Sequence, residues 1–178
     1  QTLRSSAIPT PFDRIFNQSL DATGGDVMAR WNHTLAGGSQ TSFQTYFDTY
    51  RRTDMGVPEV LRTFDLHFQH HVAAGGRHDI VWGVGYRASN SALSPGYAVA
   101  LSPPSRTDSL YSGFFQDEIR ASDSLWFTIG CKLEHNAYTG LETEPSVRLA
   151  WSPPGSRHAI WAAASKAIRQ PARADTSV

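Results

Sequence analysis

Three histidines in one short run, His67, His70 and His71, are the first place in this sequence where chemistry could sit. A metal centre needs several donors converging on one ion. The run lies in "FDLHFQHH", which alternates apolar and polar residues as a half-buried strand does. At strand rise His67 and His71 stand about 13 Å apart, too far to share an ion. His70 and His71 point to opposite faces. The run therefore reads as polar lining or rim residues. The single cysteine, Cys131, excludes an internal disulfide and a thiolate cluster, and its place in "LWFTIGCKL" makes it a small buried or lipid-facing residue. Ser, His and Asp are plentiful, but no G-x-S-x-G elbow supports a hydrolase triad. "GVG" at 83–85 completes no dinucleotide fingerprint. "NQS" and "NHT" match the glycosylation sequon, the second in mid-strand. The residues thus point to no enzyme, catalytic group, metal ligand or cofactor, and they assign no ligand-binding position.

The bulk numbers narrow the class. In 178 residues Lys+Arg and Asp+Glu are both 16, so the formal charge is zero and no basic run offers itself to a nucleic acid. The chain is polar, with 40% hydrophobic residues, yet 11% are aromatic and recur at intervals. No apolar stretch approaches the roughly 18 residues of a transmembrane helix. The start, "QTLRSSAIPTPFD", has no signal-like apolar region, and the chain reads as an internal piece of a longer one.

Period-2 alternation predicts eight strands: 25–35, 41–51, 60–71, 79–87, 109–120, 124–135, 143–152 and 157–168. In "DIVWGVGYR" Ile80, Trp82, Val84 and Tyr86 share one face, while Asp79, Val81, Gly83, Gly85 and Arg87 share the other. The last strand is Ala-rich; its faces stay unassigned, and a helix can also be drawn there. Tight links rich in Gly, Pro, Asp and Ser ("AGGSQ", "AAGGRH", "ASD", "PPGS") alternate with connectors such as "TDMGVPE", "NAYTGLE" and "SNSALSPGYAVALSPPSRTD". Short turns on one edge and longer loops on the other imply an up-and-down antiparallel sheet.

A soluble β-sandwich, such as a carbohydrate-binding module, would show strands of about five or six residues. These run about 10–12 residues, the length of a tilted strand crossing a bilayer. Trp31, Tyr50, Tyr86 and Trp151 near strand ends suit the interfacial girdles of an outer-membrane barrel.

Five stretches then carry a resemblance: "FDLHFQHH", "HDIVWGVGYR", "SGFFQDEI", "KLEHNAYTGLETEPSVRLAW" and "HAIWAAASKAIRQPAR". In this order and spacing they resemble the barrel of TonB-dependent outer-membrane receptors, over residues 25 to about 174. The resemblance implies a barrel of about 22 strands whose lumen is plugged by an N-terminal domain. It implies import of a scarce nutrient, such as a ferric siderophore or cobalamin, in the bacterial outer membrane. The implied partners are outer-membrane lipid, the plug, the protein TonB acting through the plug, and the nutrient ligand, such as a metal chelate. No plug, TonB box or terminal strand is visible, so the chain is expected to be an internal barrel fragment. Residues 1–24 would be an extracellular loop, 25–168 strands, and 169–178 the start of the next loop, with tight turns toward the periplasm.

On this reading Arg30, Gln44, Asp48, Asp65, His67, Arg87, Gln116, Glu118, Lys132, Glu134 and Arg148 line the lumen. Gly83 and Gly85 would leave room on that wall for the plug. Asp117 breaks the pattern, because it shares parity with Phe115 and Ile119 on the lipid side. An autonomous eight-stranded barrel is the remaining alternative, and it requires the first strand to pair with the eighth.

Overall fold

A computed structural model of the chain describes residues 2–8, 14–54, 57–95, 102–155 and 157–169. Among the described residues nine strands form one sheet in sequence order: β1 (Thr2–Ile8), β2 (Arg14–Thr34), β3 (Gln40–Asp54), β4 (Val57–Ala74), β5 (His78–Leu93), β6 (Ser105–Ser122), β7 (Leu125–Asn136), β8 (Gly140–Trp151) and β9 (Ile160–Ser165). All neighbouring pairs are antiparallel. The turn chemistry dictates this meander. At β4–β5, Gly75 and Gly76 both adopt positive φ, 59° and 70°, the two-residue geometry whose twist matches the flanking strands.

β2 to β8 run 12 to 21 residues, beyond the roughly 9–11 needed to cross a hydrocarbon core. The surplus lies mostly at the edge opposite the tight turns, and two expectations change there. Within the expected loop at 1–24, the described residues are strand: Thr2–Ile8 pairs with Arg14–Leu20, and the strand expected at 25–35 is the second half of β2. The "TDMGVPE" connector is mostly strand, with only residues 55 and 56 between β3 and β4. Beyond an apolar band a strand has no lipid to face, so its hydrogen bonds persist without alternation in the sequence. The expected loop at 169–178 falls almost wholly outside the described residues.

The stretch 157–168 is strand at Ile160–Ser165, not helix. Its register sets Trp161, Ala163 and Ser165 on one face and Ile160, Ala162 and Ala164 on the other. β1 pairs only with β2 and β9 only with β8, so the described sheet does not close on itself as an autonomous barrel. No second sheet covers it among the described residues, which removes the sandwich.

Register carries each face from strand to strand. Trp31, Phe43, Phe68, Val84, Gly113 and Leu133 follow one another across the outer face. There, apolar side chains are open: Val27 is 64% exposed, Trp31 56% and Phe115 48%. Among the described residues Val57 is the one buried hydrophobic, whereas Asp65, Asp117, Glu134 and Asn136 are buried polar residues. That inversion of the ordinary globular pattern suits a wall with oil outside and water inside.

Candidate functional site

The inner face is where these residues assemble a site. One cross-strand row runs Tyr46, Asp65, Arg87, Leu110, Asn136, and the next Gln44, His67, Gly85, Ser112, Glu134. A third runs Ser42, Gln69, Gly83, Phe114, Lys132, Glu144. All eleven residues expected to line the lumen share this face through the strand register.

The charges are paired across and along the strands. Asp65, 5% exposed, accepts a hydrogen bond from Arg87 Nε at 2.8 Å and lies 3.7 Å from His67 Nε2. Lys132 bonds Glu134 and stands 3.6 Å from Glu144. Arg30 Nε donates to Gln44 at 2.8 Å, and His71 contacts Asp79. Asp65, His67, Arg87, Lys132, Glu134 and Glu144 line an open concavity of about 380 Å³. A buried carboxylate needs a partner: the adjacent strand supplies one to Asp65 and Glu144, and Lys132 on the same strand supplies one to Glu134. The concavity holds three carboxylates against two fixed cations and a histidine. Such a surface seats hydrogen-bond donors and cations; among the described residues no nucleophile is hydrogen-bonded to a base on it.

Gly83 and Gly85 do not leave the wall bare, contrary to expectation. A Cβ on Gly83 would meet Phe114 Cε1 at 2.7 Å, because the Phe114 ring lies over the glycine from the next strand. A Cβ on Gly85 would meet Ser112 Oγ at 2.7 Å and His67 Cε1 at 3.0 Å. The glycines are sockets for cross-strand side chains, an arrangement that shields bare backbone in sheets.

The three histidines separate as their parity requires. His67 and His71 face inward, while His70 faces outward and accepts a hydrogen bond from Trp82 Nε1 at 3.1 Å. Among the described residues no three His, Cys, Asp or Glu side chains converge as metal ligands. Cys131 is exposed on the outer wall opposite Phe115. Of the four girdle aromatics, Trp31, Tyr86 and Trp151 face outward, and Tyr86 lies 5.0 Å from Tyr111. Tyr50 is a correction: it pairs with Gly24 and Leu61 on the inner side, because its parity is that of Tyr46 and Asp48.

A second inner cluster was hidden in connectors. Arg106 Nε bonds Asp108 at 2.6 Å, Tyr138 Oη donates to Asp108 at 2.6 Å, and the Arg106 guanidinium stacks 4.5 Å over the Tyr138 ring. Asn136 Oδ1 accepts from the Tyr138 and Thr139 amides at 2.8 Å each, fixing the β7–β8 turn. The Asn-x-Tyr-Thr-Gly spacing is an Asx-turn signal that could have located it.

An apolar outer wall opposite an ion-paired inner wall, on strands long enough to cross a bilayer, is the architecture of a membrane barrel. The family model described as "TonB dependent receptor-like, beta-barrel" matches residues 9–178. The chain belongs to the TonB-dependent receptor barrel family. Its fold is similar to the crystal structure of the siderophore receptor PirA from Pseudomonas aeruginosa, with a TM-score of 0.70 at 17% identity. That match covers 89% of this chain and 29% of PirA, so the chain spans less than a third of that receptor's length. No curated protein sequence matches the chain. In this receptor-family barrel the meander is one arc of wall, and its polar face is the concave side of the site described above.

Proposed function

We propose that this chain forms part of the wall of a bacterial outer-membrane TonB-dependent receptor that imports a scarce nutrient of the ferric siderophore or cobalamin class. The observation that carries the reading is the two-sided wall. Exposed Val27, Trp31 and Phe115 meet lipid, while Asp65, Arg87, Lys132 and Glu134 form paired charges on the inner side. The inner concavity is the seat of the plug domain, through which TonB acts. The likeness to a siderophore receptor supports the first of the two nutrient classes. The role is transport, with no bond made or broken by the wall. Fractionation of cells making the full-length protein tests the membrane part: it should pellet with outer membranes and need detergent for release. Recovery in the detergent-free soluble fraction refutes it. Growth of a deletion strain with a ferric siderophore or cobalamin as the limiting nutrient tests the cargo. Unimpaired growth on both would refute that part alone.

A further inference from the structure

Among the described residues one ion pair interrupts the apolar outer wall. Asp117 on β6 is 8% exposed, flanked on its own strand by Phe115 and Ile119, and it pairs across to Ile80 and Ile129. Its Oδ2 accepts a hydrogen bond from His78 Nδ1 at 2.7 Å, and its Oδ1 is buried with no hydrogen-bond partner. A carboxylate in apolar surroundings is costly unless a cation balances it. His78 is the ion-pair partner present, and its side chain is 44% exposed. With Nδ1 committed to the carboxylate, Nε2 lies on the ring edge turned from Asp117. A carboxylate behind an imidazole fixes ring orientation in this way at many sites.

The position of the pair gives that outward ring nitrogen a use. His78 opens β5, directly after the Gly75–Gly76 turn, with the exposed Arg77 between. The Arg77 carbonyl accepts from the Arg120 amide at 2.7 Å, which ties this turn to the end of β6. The adjoining turn also carries a matched pair, Arg120 with Asp123, whereas no side-chain partner is seen for Arg77 among the described residues. Arg77 and His78 are thus consecutive residues at the tight-turn end of β5, where the outward apolar run Ile80, Trp82 and Val84 ends. A bilayer presents phosphate at that height, and phosphate suits a guanidinium next to an imidazole.

We propose that His78, held in place by Asp117, and Arg77 bind the phosphate of one phospholipid in the leaflet facing the tight turns. The proposal rests on the membrane-barrel reading above. Asp117 is the positioning residue, and His78 and Arg77 touch the ligand.

The test uses the full-length receptor, delipidated in uncharged detergent and titrated with phosphatidylglycerol while native mass spectrometry counts bound lipids. The first lipid should bind markedly tighter than the rest. His78→Ala and Arg77→Ala should each weaken that first event about tenfold, the equivalent of one lost charge-assisted hydrogen bond. Asp117→Asn should weaken it although the residue touches no lipid, and His78→Arg should restore it. Arg77 lies on an exposed turn, so its variant reports even if changes at Asp117 harm folding. Equal lipid counts in wild type and variants would overturn the proposal and leave the pair a clamp between β5 and β6. Diacylglycerol of the same chains binding equally well would overturn it too. So would tight binding of inorganic phosphate in place of the lipid. A receptor that stays soluble without detergent would instead sink the membrane reading itself.

Discussion

The sockets at Gly83 and Gly85 allow a graded test of how the inner wall is packed. A Cβ at Gly83 would stand 2.5 Å from the Phe68 carbonyl oxygen and 2.7 Å from Phe114 Cε1. The ring can swing away, but the carbonyl is fixed in the ladder between β4 and β5. Overpacking of this kind costs about 1–3 kcal/mol. Alanine in a strand interior returns about 0.5–1 kcal/mol of backbone entropy. Gly83→Ala should therefore destabilise by about 1–2 kcal/mol. Gly113 faces the other way, and a Cβ there meets nothing closer than the Gly83 carbonyl at 3.8 Å. Gly113→Ala should match or exceed wild type, leaving a gap of about 2 kcal/mol between the two variants. Gly85→Ala should fall between them, since its obstacles are movable ends of Ser112 and His67. The assay is urea unfolding of the full-length receptor in detergent, followed by loss of the folded band on unheated gels. If Gly83→Ala proves as stable as Gly113→Ala, the glycine does not serve to seat Phe114. The older explanation, clearance for the plug, would then return.

Three further outcomes test the two faces. Arg87→Ala should cost about 2 kcal/mol by stranding the buried Asp65 carboxylate, at the low end of the usual range because the Arg87 side chain is 52% exposed. Adding Asp65→Asn to it should recover most of that loss in the same unfolding assay, and a double variant no better than the single would count against the pairing. Ile129→Lys, near the middle of β7, should cost about 2–4 kcal/mol, whereas Leu141→Lys at the start of β8 should cost under about 1 kcal/mol. Equal losses at both positions would contradict a bilayer-facing wall. In vesicles Cys131 should react with a lipid-soluble maleimide and resist a charged one, and rapid labelling by the charged reagent would place it in water.

Parity was the legible part of this fold. Alternation in "DIVWGVGYR" or "FDLHFQHH" reports which way each side chain points, because the pleat turns successive residues to opposite faces. The eleven lumen residues were therefore identifiable, and Asp117 was visible as a misfit before any pairing was known. Strand extent was less legible. β1 and the first half of β2 carry no apolar stripe, since only the bilayer imposes one, so Arg14–Gly24 read as loop. The Ala-rich β9 lacked contrast between its faces until its register with β8 assigned them.

Height along the strand and neighbour across it are set by stagger, which parity does not encode. Glycine at 83 means open space if its neighbour on β6 is small, and a filled socket if that neighbour is Phe114. The choice rests on the β5–β6 register, set by strand pairing across an eleven-residue connector from 94 to 104. The same register sets His78 beside Asp117, 39 positions apart, and turns the misfit into a pair. Arg106, Asp108 and Tyr138 meet for the same reason, through a separation of 30 between the last two. Each of these sites is therefore sensitive to slip. A one-residue shift of β6 against β5 would send Asp117 inward, remove the ring over Gly83 and expose apolar side chains to the polar interior at once. Insertion of a residue within β6 should thus abolish folding outright, while insertion in the connector at 94–104 should be tolerated. Failure of both alike would mean that the connector, rather than the strand pairing, sets the register.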